Sequence, residues 1–181
     1  MKQNLKYIIP AIILLLGIFG VFSHRFDLTK EKRYTLSDAT VETLKSVKEP
    51  LTVEVYLEGD FPASFKQLQN ETQFLLEEFR KINPKIDYKF IDPIATKMSQ
   101  DTLQAMGMQP SMLPDMKDGK VSQIVLFPYA ALKYKGYGTS ISLITNQMGI
   151  DAAEQLTKSI ENLEFNFAST IKSLVADQKK N

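Results

Sequence analysis

The sequence contains no cysteine and no tryptophan, and its single histidine is His24. Without cysteine the chain can form no disulfide and carry out no thiol redox chemistry. One histidine, next to an apolar N-terminal run, also excludes a histidine–carboxylate catalytic pair in the remainder of the chain. We expect no metal site and no cofactor, and we interpret His24 as a polar residue flanking the apolar run.

The chain also lacks an excess of charge of either sign. Its 22 basic and 21 acidic residues give a formal net charge of +1. A nucleic-acid partner would require a basic stripe, so we expect none. The glycine-containing segment Lys135–Gly138 (KGYG) does not match the phosphate-binding pattern G-x-x-x-x-G-K-[ST]. Any ATP hydrolysis connected with this protein would therefore belong to another chain.

An uncharged apolar run extends from Tyr7 to Ser23, preceded by Lys2 and Lys6. Its length of about 17 residues is at the short end of what spans a bilayer. We expect residues 1–25 to be a retained, single-pass anchor in the inner (cytoplasmic) membrane, with the body in the periplasm. A cleaved signal peptide is the alternative, although no A-x-A cleavage pattern follows the run.

The residues after the anchor divide into a juxtamembrane segment, 26–49, and an α/β domain, 50–178. Ser37 is a suitable N-cap for a short helix within the first of these. In the second, Leu51–Leu57 alternates as a strand does, and an amphipathic helix follows from Ser64 to Ile82. Ile86–Ile91 then alternates again. The connection is long enough for a parallel β–α–β crossover.

The second half of this domain predicts fewer but longer elements. We expect a short helix at Ser99–Met106, a loop to Gly119, and two long strands, Val121–Lys135 and Tyr137–Ile144, joined as a hairpin. Pro128 suggests an edge position or a bulge in the first of them. A single long helix over the residues from Leu156 to Leu174 completes the order β-α-β-α-β-β-α. That order predicts a thioredoxin-like fold without the redox cysteines.

Two pairs of carboxylates are the remaining candidates for chemistry: Glu58 with Asp60, and Asp87 with Asp92. Paired carboxylates can share general acid and base roles. Acidic residues at turns more often form the turn or remain solvated, and we prefer that interpretation here. The methionine-containing loop from Met106 to Met116 offers an adaptable binding surface, but we prefer a mobile connection. We therefore expect a protein that is not an enzyme.

A resemblance to a known family begins at residues 25–35 (RFDLTKEKRYT), which are followed by LSDAT. Placed just beyond an N-terminal membrane helix, this block resembles the GldG family, the gliding-motility-associated ABC-transporter proteins of Bacteroidetes-type bacteria. The likeness continues through EPLTVEVYLEGDFPASFKQLQNETQFLLEEF, FPYAALKYKG and LEFNFASTIKSL, and thus covers essentially the whole chain.

The resemblance implies a non-catalytic, periplasm-facing accessory subunit, of substrate-binding type, that works with an ABC permease and an ATPase in gliding or surface export. It supplies no catalytic residues. It implies a partner-docking motif at Arg33, Tyr34, Leu36 and Ser37. Members of the family usually continue into a second α/β domain and a C-terminal membrane helix, so we expect this sequence to be a fragment or a truncated relative.

Two other functions remain open. One is an extracytoplasmic module that acts without a transporter and binds a peptide or a glycan at the sheet edge or the methionine-containing loop. The other is a hydrolase that uses the paired carboxylates.

Overall fold

A computed structural model describes residues 35–117, 120–145, 147 and 149–177. The predicted membrane anchor and two residues of the proposed docking motif, Arg33 and Tyr34, lie outside this range. Within the described ranges, no helix combines the length and the apolar character needed to cross a bilayer.

The described residues form a mixed α/β structure, as the sequence predicts. Its elements, in chain order, are α1 (Asp38–Ser46), β1 (Leu51–Val55), α2 (Ala63–Ile82), β2 (Ile86–Phe90), α3 (Gln100–Ala105), β3 (Ser111–Lys117), β4 (Lys120–Leu126), β5 (Tyr129–Tyr134), β6 (Tyr137–Ser142), α4 (Ala152–Glu161) and α5 (Leu163–Asp177).

Four of these strands form one sheet in the order β2-β1-β5-β6. β1 and β2 are parallel, with Leu51 opposite Ile86, so the predicted β–α–β crossover is confirmed. β5 is antiparallel to both β1 and β6. The predicted hairpin between β5 and β6 is also confirmed: Lys135 and Gly136 form its turn with φ angles of 50° and 81°, the left-handed conformation that such turns require.

The sheet is covered on both faces. On one face, Tyr56, the residue that follows β1, packs in a buried cluster with Leu103 of α3, Met108, Phe127 and Ala131. Because side chains alternate along a strand, Leu51, Val53 and Val55 lie on the other face, and all three are fully buried. The helices α2 and α5 meet near that core through an edge-to-face contact of Phe79 with Phe167, whose ring centroids are 6.4 Å apart.

The predicted loop before Val121 is wrong, because residues 111–117 form strand β3. This strand pairs antiparallel with β4 as a separate two-stranded sheet, with Ser111 opposite Leu126. The segment SMLPDMK contains a proline and no regular apolar alternation, so the sequence carried little sign of a strand. Met108, which we had included in the loop, is fully buried in the cluster beneath α3.

The predicted long strand Val121–Lys135 is also wrong, because it is two strands that belong to different sheets. The chain leaves β4 at Leu126 and enters β5 at Tyr129, with Phe127 and Pro128 between them. Proline has no backbone N–H and cannot donate in the middle of a ladder. Its carbonyl still accepts a hydrogen bond from the Leu143 N–H at 2.7 Å. Pro128 therefore marks the change of sheet.

The predicted single C-terminal helix is interrupted at Asn162, which separates α4 from α5. The side-chain amide of Asn162 donates to the Lys158 carbonyl at 2.8 Å, and its own carbonyl accepts from the Asn166 N–H at 2.9 Å. A side chain that bonds to the preceding turn competes with the regular helical ladder. The apolar stripe continues across the break, so the spacing alone did not reveal it.

Candidate docking surface

Helix α1 begins directly after Leu36 and Ser37, the two residues of the proposed docking motif that the structure describes. Leu36 is half-buried, and Ser37 is the N-cap that the sequence predicts. The Oγ of Ser37 accepts a hydrogen bond from the Thr40 N–H at 3.3 Å. An N-cap of this kind satisfies one of the free N–H groups at a helix start, so the motif ends in a defined backbone geometry.

Ser37 is also held by helix α5. Its N–H and its hydroxyl both donate to the same carboxylate oxygen, Oε1 of Glu164, at 2.9 and 2.8 Å. Burial raises the pKa of Glu164, but the hydrogen bonds from Thr40 and Ser37 outweigh it and lower the pKa overall. Two residues 127 positions apart in sequence are therefore joined by two charge-assisted hydrogen bonds.

The other end of α1 is held by the residue that terminates α2. Asn83, the C-cap of α2, donates its side-chain amide to the carbonyls of Leu44 and Val47 at 2.8 and 2.9 Å. These carbonyls lie at the C-terminal end of α1, where the regular helical ladder leaves carbonyl groups with spare acceptor capacity. Helix α1 is thus fixed at both ends to the α/β domain, by Glu164 at its start and Asn83 at its end.

A shallow groove of about 390 Å³ lies between α1 and α5. It is lined by small residues, including Ala39 and Ala168, and by the charged side chains of Glu161, Glu164 and Lys172. Phe165 lines the groove and is 71% exposed, more than any other large apolar side chain in the described range. Single exposed apolar residues are common on proteins. An aromatic ring beside a groove of small residues is typical of a docking site.

Phe165 and Glu164 are functional candidates that the sequence prediction missed, although Phe165 left a detectable signal. The apolar stripe of α5 includes Leu163 and Phe167, both fully buried. At about 100° per residue, position 165 lies on the opposite side of the helix from Leu163. A phenylalanine outside the apolar stripe is the sign of a surface role. Glu164 carried no such sign, because its partner Ser37 is distant in sequence.

Of the two carboxylate pairs suggested by the sequence, the members of the first line one cleft together, and those of the second do not. Glu58, Asp60 and Asp92 line one cleft of about 210 Å³ after the ends of β1 and β2. Glu58 accepts from the Gln69 side-chain amide at 2.6 Å. Asp92 accepts from the N–H groups of Ile94 and Ala95 at 2.8 and 3.0 Å, as a turn-forming aspartate does. Asp87, in contrast, is exposed within β2.

No metal ligand set is present in the part of the chain that the structure describes. There, no three residues of the types histidine, cysteine, aspartate and glutamate come close enough together to hold an ion. Glu54, the one acidic residue that is buried among those whose burial is described, is instead bonded to Lys89 and Lys133 at 2.9 and 2.7 Å.

Residues 30–133 match a family described as "Domain of unknown function (DUF7088)". An uncharacterized protein of Borreliella burgdorferi is 25% identical over 178 residues, which cover 98% of this chain and 32% of that protein. The chain thus spans about a third of the length of this relative. No solved structure matches significantly.

The family match covers α1 through most of β5, and so includes both Ser37 and the parallel strand pair β1–β2. Because it also extends over more than half of the sequence, we conclude that the chain belongs to the DUF7088 family.

Proposed function

We propose that this protein is a membrane-anchored, periplasm-facing accessory subunit of an ABC transporter complex that serves gliding motility or surface export. Its role is to bind partner subunits, and it is not an enzyme. The proposal rests on the resemblance of residues 25–40 to the GldG family, together with the groove beside Ser37. The partners are the permease and the ATPase, and the N-terminal segment 1–25 is the anchor in the inner membrane.

The proposal includes a thioredoxin-like architecture. A parallel pair, β1 and β2, followed by an antiparallel hairpin, β5 and β6, in the order β2-β1-β5-β6 supports it. The β3–β4 hairpin is then an insertion between α3 and β5. Residues 58–62 follow the first strand, where a redox thioredoxin carries its cysteines, and here they are Glu-Gly-Asp-Phe-Pro.

The observation that carries the docking proposal is the double hydrogen bond from Ser37 to Glu164. It fixes Ser37, the last residue of the motif, beside the groove in which Phe165 is exposed. A partner that contacts Ser37 can therefore contact the groove and the ring at the same time. Burying one large aromatic side chain in a desolvated contact contributes much of the affinity of a typical interface.

The test is affinity purification of the full-length chain from native membranes in a mild detergent, with identification of the co-purifying proteins by mass spectrometry. We expect a permease and its ATPase. For Phe165→Ser, the recovery of both should fall by about tenfold or more, because an anchor of the interface is lost.

Ile94→Ser is the matched control, since Ile94 is also a large apolar side chain, 64% exposed, and lies outside the groove. It should leave the recovery of the permease unchanged. If the wild-type chain is purified without a permease, or if Phe165→Ser and Ile94→Ser behave alike, the docking proposal is wrong.

The alternative function, a peptide- or glycan-binding module that acts without a transporter, is supported by a different surface. Strand β6, at one outer edge of the sheet, has no charged side chain, and the first half of the strand is exposed.

A further inference from the structure

Strand β6 forms one outer edge of the four-stranded sheet. It is the last strand in the order β2-β1-β5-β6, and in the described part of the chain no strand pairs with its outer side. Tyr137, Gly138 and Thr139 are exposed, and the next three residues are half-buried. The position of this strand leaves a row of backbone groups without a partner strand.

The backbone groups that face outward follow from the pairing with β5. The Leu143 N–H donates to the Pro128 carbonyl at 2.7 Å, so Leu143 faces β5. In an antiparallel ladder, residues facing the partner alternate with residues facing away. Gly138, Ser140 and Ser142 therefore direct their N–H and C=O groups away from β5. This arrangement presents three donor–acceptor pairs at a spacing of about 7 Å.

The usual protections against strand addition are missing from this edge. Exposed edge strands commonly carry lysine, another charge, proline or a bulge. The sequence of β6, YGTSIS, has none of the charged residues and no proline, and its register with β5 is regular over all six residues. Nothing in the strand itself would repel another extended chain.

A cleft lies on each side of this edge. On the α3 side, a cleft of about 300 Å³ is lined by Met106, Gly138 and Ser140. On the α5 side, a cleft of about 510 Å³ is lined by Tyr137, Ile141 and Ser173, among others. A strand added to β6 would direct its side chains alternately into these two clefts, which is how β-strand addition selects a sequence.

The charge of the clefts indicates which segment fits. Lys133 is the one charged residue that lines either of them, and its Nζ is bonded to Glu54 at 2.7 Å. A charged ligand side chain would lose hydration there without gaining a counter-charge. A ligand whose side chains are uncharged, and either small or apolar, loses less hydration energy when it enters the clefts.

We propose that the outer edge of β6 binds an extended, uncharged peptide segment of a partner protein as an added strand. A peptide backbone matches the two-residue spacing of the donor–acceptor pairs, whereas a glycan does not. The proposal is independent of the transporter proposal, because β6 does not line the groove between α1 and α5.

The test uses the full-length, isotope-labelled chain in a mild detergent and a blocked hexapeptide of alternating threonine and valine. The measurement is amide hydrogen exchange by NMR. At saturating peptide we expect amide hydrogen exchange at Gly138, Ser140 and Ser142 to slow by about tenfold. The reason is that the outward N–H groups become hydrogen-bonded to, or shielded by, the added strand. Amides of β2 should not change. A peptide of alternating lysine and glutamate should bind less tightly.

Gly138→Pro removes one outward N–H and should weaken binding of the threonine–valine peptide by about tenfold. Gly138→Ala is the matched control, because an added Cβ there approaches no atom closer than 3.7 Å. If the proline variant does not fold, the test uses the wild-type chain and the same hexapeptide with N-methyl groups on alternate residues. This N-methylated peptide should not bind.

Three results would overturn the proposal. One is unchanged exchange at these amides with millimolar threonine–valine peptide. Another is equal binding of the N-methylated or the charged peptide. The third is protection of the three amides in the free chain that disappears on dilution as a dimer dissociates, which would assign this edge to a second copy of the chain.

Discussion

The two outer strands of the sheet, β2 and β6, differ in how they are protected and anchored. β2 carries Asp87 and Lys89, and Lys89 is bonded to Glu54 of the neighbouring strand at 2.9 Å. Tyr88 donates to Glu77 of α2 at 3.3 Å, and the guanidinium of Arg80 lies 5.1 Å from its ring centroid. The β6 strand has hydroxyl side chains and no charge.

This difference shows that two edges of one sheet can serve opposite purposes. Charged side chains on β2 make the addition of another strand unfavourable. Lys89 attaches β2 to β1, and Tyr88 attaches it to α2. The position of β6 depends on its turn with β5 and on packing against α5. The edge without charges is the one at which we propose peptide binding.

Removal of Glu54 should produce the largest effect, because this residue links β2 to β5 across β1. Glu54 is only 8% exposed and accepts from Lys89, Lys133 and the Tyr56 hydroxyl. Glu54→Ala should lower the free energy of unfolding by about 3 kcal/mol, since it leaves the buried hydroxyl without its acceptor. Urea denaturation measures the difference. Glu54→Gln keeps a hydrogen-bond acceptor and should lower the free energy of unfolding by less. Equal decreases for the two variants would mean that the hydrogen bonds contribute little.

The same residue should make stability depend on pH. Burial raises the pKa of Glu54, but its bonds to Lys133, Lys89 and Tyr56 outweigh this effect and lower the pKa from 4.5 to about 2. A lowered folded-state pKa contributes stability above the unfolded value, and this contribution is lost as the pH falls from 4.5 towards 2.

We therefore expect the free energy of unfolding of the wild type to fall by about 2 kcal/mol more than that of Glu54→Gln between pH 4.5 and pH 2. Acid denaturation monitored by circular dichroism measures this difference. The two proteins should be nearly equally stable at the lower end. Parallel pH profiles would show that Glu54 is not ionised in the folded protein in the way we describe.

Gly136→Ala should have the smallest effect and should act on the β6 side. Gly136 has φ of +81° in the two-residue turn, with no atom within 4 Å of an added Cβ. The cost is therefore backbone strain alone, about 1 kcal/mol in the free energy of unfolding. Gly138 does not have a left-handed φ, so Gly138→Ala should change the free energy of unfolding by less. Hydrogen exchange should show faster opening of β5–β6 for Gly136→Ala, with β1–β2 unaffected; a uniform change would contradict the local role of this turn.

Much of the fold on the β2 side could be predicted from local patterns. The N-cap at Ser37 depends on one side chain and its own helix, and the amphipathic period of α2 depends on one element. The parallel pairing of β1 with β2 follows from the length of the connection between them. In each case, the interactions that decide the structure lie within a few residues or one crossover, so the sequence displays them directly.

The other side of the molecule depends on contacts between distant residues. The break at Pro128 was visible as a proline, but the assignment of β4 and β5 to different sheets was not. The pairing of β3 with β4 left no clear apolar alternation. Of the proposed docking site, the sequence indicated Leu36 and Ser37, but not Glu164, which lies 127 residues from Ser37.

The sequence by itself determined that this chain has no thiol chemistry, where most helices start, and that a parallel strand pair is followed by a hairpin. These properties depend on composition and on local spacing. The tertiary structure alone decided that Glu54 is buried between two lysines, that Ser37 is bonded to Glu164, and that β6 has no neighbouring strand on its outer side among the residues described. The reason is physical: burial, ion pairing and edge position are relations between elements, and residue order does not specify which elements become neighbours.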